Sequence, residues 1–132
     1  MSIDPFVDSD EIRILAPTGV CGSGFSERSF ELALGQQPHF IGCDAGSTDP
    51  GPEYLGTGRT AFPPEAIRRD LRLMLLGARR MGLPLLIGSC GTAGADAQVD
   101  LVRAMVLDIA REERLSFTLA TIHSEQSAQL LR

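Results

Sequence analysis

Lysine is missing from this 132-residue chain, and all twelve basic residues are arginine. Without lysine the chain cannot form a Schiff base, build a Walker A loop, or supply a Tyr-x-x-x-Lys dyad. Cysteine is scarce as well. Cys21, Cys43 and Cys90 are odd in number and lack metal-type spacing, so neither a disulfide scaffold nor a zinc site is indicated. No apolar run approaches the roughly 20 residues of a membrane span. The polar, acidic stretch from Met1 to Asp10 does not read as a signal peptide, and a cytoplasmic location is the default expectation. A net charge of −5 argues against nucleic acid as a partner. No motif specifies a cofactor or a metal.

What the chain does hold is glycine in three clusters. They are Thr18-Gly19-Val20-Cys21-Gly22-Ser23-Gly24, Asp44 through Pro52, and Gly88-Ser89-Cys90-Gly91-Thr92-Ala93-Gly94. Each follows an apolar run: Ile12 to Ala16, Phe40 to Cys43, and Leu85 to Ile87. In an open α/β sheet such turns gather at the carboxyl edge of the strands, where ligands bind. Glycine lets a backbone N–H approach a ligand closely, and Ser, Thr and Asp add hydrogen bonds.

The chain divides into a flexible lead-in, residues 1–10, and a single α/β domain, residues 11–132. A first strand is expected over about Ile12 to Pro17. A helix follows from Phe25 to Leu34, with Ser26 as its N-cap. A second strand covers about His39 to Cys43. A long loop from Asp44 to Phe62 follows, with little periodicity. The clearest element is a helix from Pro64 to Met81. It opens on Pro63-Pro64, and its apolar stripe is Ile67, Leu71, Met74, Leu75 and Ala78. Its arginines, Arg68, Arg69, Arg72, Arg79 and Arg80, read as a solvated face. A third strand at Leu85 leads to a helix from Asp96 to Glu113, with Val99, Val102, Val106 and Ile109 inward. A fourth strand, Ser116 to Ile122, and a short terminal helix through Leu130 complete the pattern. Alternation of this kind predicts a Rossmann-like three-layer sandwich: a small, mainly parallel four-stranded sheet with helices on both faces.

Several chemistries compete for the turns. Gly19-x-x-Gly22-x-Gly24 is one residue short of the short-chain dehydrogenase loop. Asp44, twenty residues beyond Gly24, sits where a ribose-binding acid belongs. Asp44 to Thr48 is not an actin-like phosphate loop, because Pro50 and Pro52 break the strand that should follow. An anion site suits the turns better. The N–H groups of Gly22 and Gly24, and those from Gly91 onward, open helices whose positive ends favour negative charge. Ser47, Thr48 and Ser89 add hydroxyl groups there. Asp44 is a candidate for proton transfer or for turn formation. Cys90, in a strand-to-helix turn, is a candidate nucleophile whose pKa a helix N-terminus would lower. His123 is a candidate general base, with Glu125 or Asp44 to orient it. Arg59 is a candidate clamp for a carboxylate or phosphate, and Tyr54 a candidate ligand contact in the same loop.

Pro17-Thr18-Gly19-x-x-Gly22-x-Gly24-Phe25, Cys43-Asp44-Ala45-Gly46-Ser47-Thr48-Asp49-Pro50-Gly51-Pro52-x-Tyr54-Leu55-Gly56-x-Gly58, Arg69-Asp70-Leu71 and Ile87-Gly88-Ser89-x-Gly91 together resemble the acyclic terpene utilisation (AtuA-type) family. The likeness spans about Ile12 to Glu125 and is to the N-terminal segment of longer members. It implies a subunit or domain of a small-molecule metabolic enzyme of the lyase, hydratase or isomerase type. The implied ligand is a small anionic metabolite, a carboxylate or an acyl-CoA-type compound. It also implies a homo-oligomer or a second protein subunit. The alternatives are a non-catalytic scaffold subunit and a nucleotide-binding Rossmann module.

Overall fold

The computed structural model describes residues 11–47, 50–127 and 129–130. The expected lead-in lies outside these residues, as do Thr48, Asp49 and, within the expected terminal helix, Ala128. The elements run β1 (Ile14–Leu15), α1 (Glu27–Leu34), β2 (Phe40–Gly46), α2 (Gly51–Thr57), α3 (Pro64–Met81), β3 (Leu85–Thr92) and α4 (Asp96–Glu112). The strands form a parallel sheet in the order β1-β2-β3, with Ile14 opposite Phe40 and Ile41 opposite Leu85.

Local chemistry sets the helix limits. The Ser26 hydroxyl accepts from the Ser29 N–H at 3.2 Å and starts α1. Proline opens α3, and Gly82 stops it in a left-handed conformation that supplies a partner for the Ala78 carbonyl. The α3 stripe is buried as its spacing predicts. Gly77 lets α1 lie against α3, since a Cβ there would come within 2.7 Å of the Phe30 ring. The arginine face of α3 is stitched to its neighbours rather than left to solvent. Arg80 pairs with Glu31 of α1 at 2.5 Å, Arg68 with Glu112 of α4 at 2.6 Å, and Arg72 with Glu112 and Glu113. Such exposed pairs contribute about 0–1 kcal/mol each, so they fix orientation more than stability.

The core explains the layering. Phe30 and Leu34 of α1, Leu71 and Met74 of α3, and Val102 and Ile109 of α4 all join one cluster with Ile41, Cys43 and Ala45 of β2. Three helices therefore share one face of the sheet. The other face carries Ile12, Ile14 and Leu86, which are 59%, 59% and 54% exposed. Strand order is the cause. Right-handed crossovers that always step to the next neighbour put every helix on the same side. Covering both faces needs the sheet to reverse its direction of growth. The expected three-layer sandwich is thus two layers among the described residues.

The sheet also has three strands, not four. Ser116 to Ile122 forms no strand and pairs with none among the described residues. Leu115 and Phe117 dock on the core, with Phe117 under the Arg79 guanidinium, and this holds the segment beside the helices. Leu119 and Ile122 remain 39% and 84% exposed. Two further differences concern the loop and the tail. The expected loop from Asp44 to Phe62 contains α2, and Gln126 and Ser127 are not helical.

Candidate functional site

The first glycine turn is filled from within. Asp70, on the buried side of α3, is 0% exposed. Its Oδ2 accepts from the Gly22 N–H at 2.8 Å and from the Gly24 N–H at 2.9 Å, and its Oδ1 accepts from Arg69 Nη1 at 2.8 Å. The N–H groups that sequence reasoning reserves for a ligand anion are held by a carboxylate of the chain itself. A cavity of about 500 Å³ beside this turn is lined by Phe25, Arg69 and Asp70 among others. Its one cation, Arg69, is already engaged by Asp70 and Glu27.

The third turn is arranged the same way. Gln98 of α4 is 1% exposed. Its Oε1 accepts from the Ala93 and Ala95 N–H groups at 3.0 and 3.3 Å. Its Nε2 donates to the carbonyls of Tyr54 and Arg59 at 3.3 and 2.8 Å. One side chain thus satisfies the start of α4 and ties the α2 segment to it. Gly91 makes room, because a Cβ there would meet Gln98 Cβ at 2.5 Å.

A cleft of about 370 Å³ lies where the strand ends meet α2. It is lined by Asp44, Ser47, Leu55, Ser89, Thr92 and Ala93, with Gly51 and Pro52. Asp44 lies near the end of β2 on an exposed position, and its Oδ1 accepts from the Gly46 N–H at 2.9 Å. The expected turn-forming role is therefore realised together with a place in the cleft. Gly46 permits the closest approach in the sheet: a Cβ there would stand 2.4 Å from both Ser89 Cβ and the Thr92 carbonyl oxygen. Ser89 and Thr92 adopt φ of 48° and 97°. For a β-branched residue a positive φ is an outlier, and such strain gathers at functional sites. Thr92 Oγ1 accepts from the Ala61 N–H at 2.9 Å, which leaves its proton for another acceptor.

Of the expected site residues, Asp44, Ser47 and Ser89 meet in this cleft. Gly22, Gly24 and Gly91 face the internal groups described above. Tyr54 and Arg59 contribute carbonyls to Gln98, and the Arg59 guanidinium stands 3.8 Å from Glu53 on the surface. His123 lies between Asp96 and Asp100, at 3.4 and 3.6 Å, rather than against Asp44 or Glu125. Glu125 Oε2 accepts from the Asp96 N–H at 2.9 Å and so caps α4. Cys90 differs from expectation in its acidity. Burial pushes its thiol up, not down, and its Sγ donates to the Ile87 carbonyl. Desolvation is the main cause, and Cys90 stands within β3 rather than at the start of a helix. Cys21 and Cys43 are buried and adjoin each other. Their mutual hydrogen bond lowers Cys43 and, with burial, raises Cys21.

Sequence reasoning missed Asp70 and Gln98. A signal was present. Asp70 falls three residues after Ile67 and one before Leu71, and Gln98 one before Val99 and four before Val102. A polar residue on an apolar helical stripe must find partners inside.

No family model matches the chain, and neither a curated protein nor a solved structure matches it. Among the described residues no cluster of His, Cys, Asp and Glu is arranged to hold a metal ion, and no helix is long and apolar enough to cross a membrane.

Proposed function

We propose that the chain is a subunit of a small-molecule metabolic enzyme whose ligand sits in the cleft between α2 and the ends of β2 and β3. The observation that carries this reading is the meeting of one carboxylate, Asp44, with two strained hydroxyl residues, Ser89 and Thr92, in a single cleft. Asp44 is the acid-base group there. It takes a proton from a carbon beside a carbonyl, while the Ser47 and Ser89 hydroxyls donate to the carbonyl oxygen. That is the opening step of lyase, hydratase and isomerase chemistry. The AtuA-type resemblance supports the same class and an acyl or carboxylate ligand. At about 370 Å³ the cleft accepts an acyl group and leaves the nucleotide end of a coenzyme A thioester outside. His123 and Cys90 have no part in this scheme. A nucleotide-binding module is less well supported, since the Gly22 and Gly24 amides are held by Asp70.

The test is exchange of the acyl α-hydrogens of acetyl-CoA and 3-hydroxybutyrate with D2O, followed by NMR on the full chain. Exchange with wild type and its loss by about 100-fold in Asp44→Asn are expected. Exchange equal in the two proteins, or none with wild type, overturns the reading.

A second reading rests on the open sheet face. Parallel sheets are ordinarily covered on both sides, so Ile12, Ile14 and Leu86 fit a scaffold subunit that is completed by another protein.

A further inference from the structure

Thr92 closes β3 in a conformation that its side chain resists. Its φ is 97°, where β-branched residues are rarely found. Two neighbours with positive φ, Gly91 at 70° and Gly94 at 69°, are glycines, which adopt it without strain. Position 92 keeps a methyl and a hydroxyl despite the strain. The sheet register shows how the strain arises. β2 and β3 pair at Asp44–Gly88 and again at Gly46–Thr92, so β2 advances two residues while β3 advances four. The surplus on β3 bulges between these pairs and turns the backbone at Thr92. Bulges beside active sites re-aim side chains in this way.

The hydroxyl that results is buried and held, and its proton is unspent. Thr92 is 4% exposed and lines the cleft with Asp44. Its Oγ1 accepts from the Ala61 N–H at 2.9 Å, and its carbonyl accepts from the Ser47 N–H at 3.3 Å. Among the described residues no acceptor takes the hydroxyl proton. A buried donor left unpaired is costly, and the cleft is where an acceptor can arrive. The other hydroxyls of the cleft differ. Ser89 is exposed and Ser47 half-buried, so water competes for both. Thr92 combines a stiff χ1 with an anchored oxygen. A donor fixed before the reaction stabilises developing charge best.

We propose that Thr92 is the principal hydrogen-bond donor to the carbonyl oxygen of a ligand in this cleft, ahead of Ser47 and Ser89. The inference rests on the reading of the cleft as a proton-transfer site. Asp44 takes the α-proton, the C–H electron pair becomes a C=C bond, and the carbonyl π pair moves onto oxygen. Thr92 keeps its proton and donates a hydrogen bond to that oxygen. Asp44 then exchanges its proton with D2O and returns a deuteron to carbon, which restores the carbonyl.

The experiment is α-hydrogen exchange of acetyl-CoA in D2O on the full chain, across a substrate series, for wild type and three variants. Thr92→Val should lower kcat by about 100-fold, as loss of one such donor does. Its KM should move less than about threefold, because the bond strengthens only as charge develops. Thr92→Ser restores the hydroxyl and should recover most of the rate. Thr92→Gly is unstrained at this φ, so it should melt above Thr92→Val and still exchange as slowly. A raised KM with kcat held would mean that losing the Ala61 bond merely loosens the α2 segment, and it overturns the proposal. So does a Thr92→Gly variant that regains the wild-type rate. Wild-type exchange that Asp44→Asn abolishes and Thr92→Val leaves unchanged overturns the Thr92 role alone. No exchange with wild type overturns the reading of the cleft, and this inference with it.

Discussion

Replacing Asp70 should unfold the chain more readily than replacing any other acidic residue among those described. The carboxylate accepts three hydrogen bonds at 2.8–2.9 Å and is wholly buried. Asp70→Asn keeps the shape and removes the charge. If the remaining oxygen faces Gly22 and Gly24, the new NH2 group opposes Arg69 donor to donor. One charge-assisted bond is lost, and two others drop to roughly half strength, a sum of about 3–6 kcal/mol. Relief of the buried charge offsets part of this, so about 2 kcal/mol is expected. Asp70→Ala strands both amides and should cost about 3–5 kcal/mol, a large share of the stability of a typical domain. Urea unfolding of the full chain, followed by far-UV circular dichroism, measures both. If Asp70→Asn lies within about 0.5 kcal/mol of wild type, the size of an ordinary surface substitution, the internal carboxylate does not hold the first turn.

Two other perturbations test the remaining joints. Gln98→Glu keeps an acceptor for the Ala93 and Ala95 amides but cannot donate to Tyr54 and Arg59. It should therefore leave α4 in place and release the α2 segment, read as faster proteolysis within residues 51–62. Gln98→Ala loses both sets of bonds and should cost about 2–3 kcal/mol. Equal cleavage of wild type and both variants would contradict this. The Cys90 thiol is raised above its ordinary value of 9.0 by burial. Its contribution to stability is full below pH 9 and is lost as pH climbs toward the folded value. The melting temperature should fall above pH 9, and Cys90→Ser should reduce that fall. A melting curve flat from pH 8 to 10.5 would exclude it.

Sequence legibility followed the reach of the interactions. The α3 helix was readable because its limits are local: proline at the start, glycine at the end, and an apolar stripe between. The glycine clusters were readable as turns for the same reason. What they grip was harder, since Asp70 lies far along the chain from Gly22 and Gly24, and Gln98 also reaches back to Tyr54 and Arg59. The α2 helix has no periodic stripe and no buried residue, and it is held by Gln98 from outside, so Gly51–Thr57 looked like loop. Ser116 to Ile122 has the composition of a strand but forms none among the described residues. Composition cannot say whether an edge stands ready to receive it. Of the cleft, Asp44, Ser47 and Ser89 were foreseen. Thr92 and Leu55 depend on how β3 and α2 meet.

The carboxylate inside the first turn also orders events in time. Gly22 and Gly24 bond to a residue 48 and 46 positions later. Closing a loop of that length costs chain entropy before any bond repays it. The turn therefore takes its shape only after α3 has formed and docked. On a ribosome the first strand and its glycine loop emerge early but stay unshaped until residue 70 has been made and folded back. The most sequence-conspicuous turn of the protein thus waits on a helix made well after it.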